Sequence, residues 1–406
     1  MVGSKKLQKA LRFTKYSINL TLCWPPAEDA SRMETLIFDF LWWLMFISAL
    51  CLFLPLGASI YVNRDNPESM TQSIALWSAV GACVIKSFFA KIRRSRLQKL
   101  IGEMEEFIGN LNDADLLVIE KYVSKHSALH ITVTVLLYFT AVSFLIVPLV
   151  TDRRFPCDAV YPFSLESPLM EIIIYLHQSL VAFQCAAGIL VDCFTAMVVW
   201  FLCARFELTA LAIKNFRSTQ DLKNLIRQHQ ELIEYADEVR DTLSLFVLSV
   251  ITTTVGGMIF STIQLVVDQP ATIKAQFAIA GVSAGVGSYI CSLAAESLHE
   301  MGYAVGDQAF ESDWITKDRE ARICLIHIIR RAQKPIDIKA NEIIPPLSLE
   351  FFCQVRNSRE SLFSETIAKT LIPLIITVCD DCLQTLCIIE NHAVHVKEQC
   401  WVDPLV

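Results

Sequence analysis

Residues 36–62 read "LIFDFLWWLMFISALCLFLPLGASIYV". One acidic residue, Asp39, stands near the start, and nearly everything after it is apolar or small. A bilayer core of roughly 30 Å is crossed by about 20 helical residues, so this run can span one. A helix apolar on every side needs either a large protein core or lipid around it.

Working outward, comparable runs lie at 70–90, 129–150, 168–203, 246–267 and 272–295, and a seventh is expected to start near Pro346. The 406 residues are 53% hydrophobic and 19% charged, with a mean hydropathy of +0.44. That balance excludes an ordinary soluble multidomain enzyme and suits a polytopic membrane protein. In lipid every backbone polar group must be satisfied internally, by helices or a closed barrel, and the short alternating strands of a barrel are missing from the sequence. The expected fold class is therefore an all-α membrane protein of seven transmembrane helices.

Orientation follows from Lys and Arg. The N-terminal segment carries six, residues 91–128 seven, 205–245 six and 296–340 seven. The alternate loops carry only Arg64, then Arg153 and Arg154, then Lys274. Positive charge stays on the cytoplasmic side. The N-terminus is thus expected in the cytosol and, with seven spans, the C-terminus is extracellular, the reverse of a G-protein-coupled receptor. Residues 1–35 hold no short apolar core with a cleavage site, so the first span is expected to lead insertion. Helical periodicity over 94–127 and 205–245 predicts long cytoplasmic helical extensions of the spans, the former continuing the second span. Residues 151–167 are expected to fold as an outer lid. The organisation is a cytoplasmic segment 1–35, a seven-helix domain 36–353, and an anomalous tail 354–406.

Ionisable residues inside spans are costly and tend to be functional. Lys86 can snorkel or pair with Asp192, Asp39 lies shallow and solvated, Glu171 suits a helix N-terminus, and His177 suits an interior hydrogen bond. "TTTVGGM" and "AGVSAGVG" (Gly256, Gly257, Gly281, Gly285) permit close helix approach. Most of the 14 cysteines sit in apolar runs and act as small hydrophobes. Cys379, Cys382, Cys387, His392 and His395 have zinc-like spacing, but in an apolar stretch of the tail; neither metal nor cofactor is expected. The sequon Asn19-Leu20-Thr21 should stay bare in the cytosol. No catalytic constellation or nucleic-acid-binding pattern emerges.

Three stretches in order carry a resemblance: Trp24-Pro25; "FPCDAVYPFSLESP" with Tyr161, Pro162, Phe163, Ser167 and Pro168, running on to Asp192, Cys203 and Phe206; and "RRAQKPIDIKANEIIPPLSLEFF" with Arg331, Ala332, Lys334, Pro335, Pro346, Leu347, Ser348, Leu349 and Glu350. Together they resemble the insect odorant receptor family over roughly 20–353. Phe201, Ala204 and Asn341 depart from the residues common there. After Phe352 the likeness stops, and Arg356, Asn357, Arg359 and Glu360 stand where the family continues an apolar pore helix. Codons for Val355-Arg356 can spell a splice donor, so a retained intron or mis-joined gene model is expected at this junction.

The resemblance implies an odorant-binding subunit, not an enzyme. It would assemble with a shared co-receptor into a tetrameric, ligand-gated, non-selective cation channel of the plasma membrane in sensory-neuron dendrites. A volatile has few polar handles, so its pocket should be apolar and aromatic with one or two hydrogen-bonding groups, in the outer half of the bundle. Candidates are Trp77, Tyr138, Phe139, Ser143, Tyr175, Gln178, Phe183, Met258, Phe260, Ser261 and Gln264. Phe139 and Ser143 share a helix face, as do Tyr175 and Gln178. Lys334, Pro335, Pro346, Ser348 and Glu350 are expected at the pore or assembly region. Competing readings are a gustatory-type receptor channel, a G-protein-coupled receptor of opposite topology, and a receptor left non-conducting by its altered C-terminus.

Overall fold

The computed structural model describes residues 2–150, 154–163, 165–267, 270–334, 336–339 and 346–353. The described residues form helices and loops with no strand. The α-helices are α1 Val2–Ser17, α2 Arg32–Val62, α3 Pro67–Ile92, α4 Arg94–Gly109, α5 Asp113–Val150, α6 Pro168–Lys214, α7 Thr219–Val266, α8 Ala271–Glu311 and α9 Arg319–Ala332. Six of them (α2, α3, α5, α6, α7 and α8) are long and apolar enough to cross a membrane.

Their boundaries follow local chemistry. Ser31 and Glu34 close a reciprocal capping box at the start of α2, and Ser218 with Asp221 does the same for α7. Asp318 caps α9 through the Ala321 N–H; this bond and one from Thr219 hold its carboxyl below the usual carboxylate range. Pro168 opens α6, where its missing N–H leaves no intrahelical bond unmade.

Helix α6 is the axis of the bundle. It packs against α1, α2, α3, α5, α7 and α8, and 89% of its most apolar stretch is buried, against 17% for α2. The contrast fixes what surrounds α2: Phe40, Trp43, Leu44, Ile47 and Leu54 are all exposed on it. A continuous apolar surface of that extent does not face water in a monomer. The chain is a multi-pass membrane protein whose periphery is wetted by lipid.

At one end of the bundle, the base, the spans run on into extensions. Fourth and fifth spans extend as α6 and α7, as the periodicity suggests. The 94–127 segment differs: α4 ends at Gly109, Asn110 caps it, and the chain restarts as α5 at Asp113. "LLVIEKYV" therefore lengthens the third span rather than the second, because two asparagines (Asn110, Asn112) favour capping and turns over helix interior. Asp39 is ion-paired as well as partly solvated, to Lys91 at 2.8 Å and Arg94 at 2.6 Å.

Small residues bring α7, α8 and α9 together. A Cβ added at Gly281 would lie 2.8 Å from Ser261 Cβ, one at Gly285 3.0 Å from Met258 Cε, and one at Gly306 2.9 Å from Ala332 Cβ. Ala332, of the Arg-Ala-x-Lys-Pro turn, thus seats α9 on α8. Beyond it Lys334 N–H bonds Arg331 O, while Pro335 lies outside the described residues. Ser348 Oγ accepts the Phe351 N–H and begins a helix running to Cys353. Pro346 and Glu350 flank this start, half-buried and exposed respectively. The tail 354–406, with its Cys and His pattern, lies outside the described residues.

Candidate functional site

Between α3, α5, α6, α7 and α8 lies a cavity of about 170 Å³. On α6 it follows Gln178, Val181, Ala182, Cys185, Ala186, Ile189 and Asp192, spaced as one helix face. At 1.5 Å rise per residue, that face extends about 20 Å along the axis. Leu137, Thr140, Ala141 and Phe144 contribute from α5, Phe260 and Ser261 from α7, and Phe277, Ala280 and Ala284 from α8. The space exists because alanines face one another across the helices. Phe144 and Phe277 meet edge to face, with centroids 5.9 Å apart, on its wall.

The end away from the base is closed by residues 154–163. Pro156 and Cys157 line the cavity there. Gln178, fully buried, holds this segment: its Oε1 accepts the Cys157 N–H at 2.9 Å, and its Nε2 donates to Cys157 O and Tyr161 Oη, each at 3.2 Å. Ser59 Oγ donates to Asp158 O at 2.6 Å, and Val160 N–H bonds Pro55 O. The Tyr-Pro-Phe segment is thereby bolted to α2 and α6. Gln178→Leu removes three of these bonds while keeping the volume. Leaving buried polar groups unpaired costs about 1–3 kcal/mol. Amide exchange at 154–163 is expected to accelerate accordingly; unchanged protection in hydrogen–deuterium exchange would show that the clasp contributes nothing.

The opposite end is ionic. Lys86 Nζ donates to Asp192 Oδ1 at 2.6 Å, with the two side chains 1% and 6% exposed. The pairing considered from the sequence is present. Beneath it the N-terminal segment seals the bundle: Trp24 packs on Phe194 with centroids 5.4 Å apart, and Cys23 Sγ approaches Lys86 O. This gives the Trp24-Pro25 signal a physical role.

Of the aromatic and polar residues singled out in the sequence, Gln178, Phe260 and Ser261 line the cavity. Trp77 turns toward α2 and stacks on Phe53. Tyr138 donates to Ser17 O and its ring neighbours Phe183; Tyr175 donates to Leu145 O. Phe139 is 60% exposed, and Met258 packs onto Gly285. Ser143 O accepts from Gln276, and Gln264 donates to Thr71. His177 reaches Ser48 O at 3.0 Å, the interior hydrogen bond expected of it. Phe144, Phe277 and the alanines were not foreseen. Their one signal is small residues at helical spacing, Ala182 and Ala186 on α6 and Ala280 and Ala284 on α8. Among the described residues no cluster of His, Cys, Asp and Glu could hold a metal ion.

This architecture has solved counterparts. The insect olfactory receptor OR5 from Machilis hrabei superimposes with a TM-score of 0.75 at 13% identity, covering 91% of this chain and 98% of that one. The same receptor in complex with eugenol gives 0.75 at 14% identity, covering 92% and 99%. Odorant receptor 22a of Drosophila melanogaster is 23% identical over 333 residues, 75% of this chain and 80% of its own length. The sequence model described as "7tm Odorant receptor" matches residues 66–358, well over half the chain. An all-helical bundle wetted by lipid, closed around an apolar cavity and carrying this match along most of its length, belongs to the seven-transmembrane odorant receptor family.

Proposed function

We propose that this chain is the odorant-binding subunit of a heteromeric, ligand-gated, non-selective cation channel in the plasma membrane, opened by small volatile molecules. The observation that carries the reading is the cavity of about 170 Å³ between α3, α5, α6, α7 and α8. An engineered apolar cavity of about 150 Å³ holds benzene, so this space suits a guest of that order. The complex of OR5 with eugenol supports a volatile as the guest class.

In this reading the base is cytosolic, since α1, α4 and α9 bring Lys6, Lys9, Arg94, Arg96, Arg330 and Arg331 there. The clasped segment 154–163 faces outward, and a seventh span leads from Ser348 to an extracellular C-terminus. Lys334, Pro335, Pro346, Ser348 and Glu350 would position that span against a shared co-receptor, in a tetramer whose pore it helps line. Arg356 and Arg359 oppose this: each charge at mid-span costs about 2.5–3.5 kcal/mol on insertion scales. The test is co-expression with the family's co-receptor, using both this chain and one carrying an apolar seventh span. Inward cation current evoked by a volatile panel supports the proposal; silence from both chains refutes it.

The cavity itself is tested by filling it. Ala280→Phe puts a ring into the space from α8. The concentration for half-maximal current is expected to rise tenfold or more, roughly 1.4 kcal/mol of lost binding. Surface abundance checks that the chain still folds. An unaltered response would move the site elsewhere.

A further inference from the structure

The polar groups around the cavity divide into spent and unspent. At the clasped end, both polar atoms of Gln178 are engaged with Cys157 and Tyr161. Along the walls, Thr140 and Thr253 donate their hydroxyls to backbone carbonyls of their own helices, leaving lone pairs. At the floor, Asp192 Oδ1 takes the Lys86 ammonium, while Oδ2 accepts no hydrogen bond among the described residues. Gly287 of α8 faces Oδ2 without a side chain, and a Cβ added there would lie 3.9 Å from it. Ser78, Thr254 and Ser261 also line the cavity, and their hydroxyls can donate as well as accept. The charged group among the lining that can only accept is the free half of the Asp192 carboxylate.

We propose that the cavity selects molecules with an apolar body and a neutral hydrogen-bond donor at one end, alcohols above all, the hydroxyl donating to Asp192 Oδ2. This rests on the reading of the cavity as the odorant site. Neutrality follows from Lys86. It already balances the carboxylate, so a ligand ammonium would enter a dry site with no counter-charge. An ether, ester or ketone has no hydrogen to give the carboxylate, and the wall hydroxyls of Ser78, Thr254 and Ser261 that could donate to it are uncharged partners. A hydroxyl donating to a charged acceptor makes the stronger class of hydrogen bond. Length agrees, since the lined face of α6 is about 20 Å long and gives room to an extended apolar chain.

The test uses two isomers, hexanol and methyl pentyl ether, equal in atoms and nearly equal in apolar surface. The full-length chain in lipid nanodiscs is melted in the presence of each. Hexanol is expected to stabilise it at concentrations on the order of tenfold lower than the ether. Equal potency overturns the donor inference and leaves the cavity reading standing. Failure of both isomers overturns the cavity reading and the inference with it. Pentylammonium matching or exceeding hexanol would overturn the claim of neutrality. Lys86→Met with Asp192→Leu, which removes both charges together, is expected to erase the preference for the alcohol. Persistence of the preference in that folded double variant would show that another group receives the hydroxyl.

Discussion

Asp192→Ala is expected to destabilise the chain by about 3–5 kcal/mol, the cost of stranding one member of a buried ion pair. Lys86 is 1% exposed, and the Lys86–Asp192 contact is 2.6 Å. Above the pair lies the cavity; below it Trp24 and Phe194 shut out the base. The ammonium cannot relax into water without displacing that plug. Against a total stability of about 5–15 kcal/mol, the loss is a large share. It should appear as low surface abundance and a lowered melting temperature in detergent. Lys86→Ala should behave similarly. The double replacement Lys86→Met with Asp192→Leu should recover most of the loss, because apolar residues of similar volume carry no desolvation debt. If Asp192→Ala alone melts like the parent protein, the ion pair is not formed in the membrane.

That pair also shows where a sequence is informative. Two opposite charges, each alone in an apolar run, have few ways to be tolerated in lipid; the sequence leaves Lys86 free to snorkel or to pair with Asp192, and the packing of α3 on α6 selects the pair. The apolar spans and the glycine patches are legible for the same reason, since lipid and close helix approach each admit few residue types. Orientation about the helix axis is another matter. On α5 the cavity takes Leu137, Thr140, Ala141 and Phe144, whereas Phe139 and Ser143, one position away, lie about 100° round the helix. A span apolar on all sides has almost no moment to say which face turns inward. Trp77 among Leu76 and Ser78 illustrates the same indifference. Gln178 was legible as a polar group in an apolar wall, but not as the latch of a loop some 20 residues earlier, because that depends on where Cys157 is carried by the fold. Nor does any motif announce a void: Ala182, Ala280 and Ala284 become a cavity only once their helices are placed around it.

Gly281→Leu is expected to do the most damage among the small-residue positions. A Cβ there would lie 2.8 Å from Ser261 Cβ and 3.1 Å from its Oγ, so even a methyl forces α7 and α8 apart. Overpacking a close interface costs about 1–3 kcal/mol, and a leucine with no space on the facing helix belongs at the upper end. The damage should not be confined to stability. Ser261 and Phe260 line the cavity on α7, and Ala280 and Ala284 line it on α8, so separating these helices widens the site. A Gly281→Leu chain that reaches the surface should therefore lose sensitivity to its ligand. Two companions isolate the cause. Ser261→Gly in the Gly281→Ala background removes the steric conflict and should restore most of the melting temperature that Gly281→Ala loses. Gly102→Ala, on α4 where no atom would lie within 4 Å of the new methyl, should stabilise the chain, since alanine exceeds glycine in helix propensity by about 1 kcal/mol. Were Gly281→Ala to stabilise the protein as Gly102→Ala does, propensity would outweigh contact at both sites, and the close packing of α7 on α8 would be disproved.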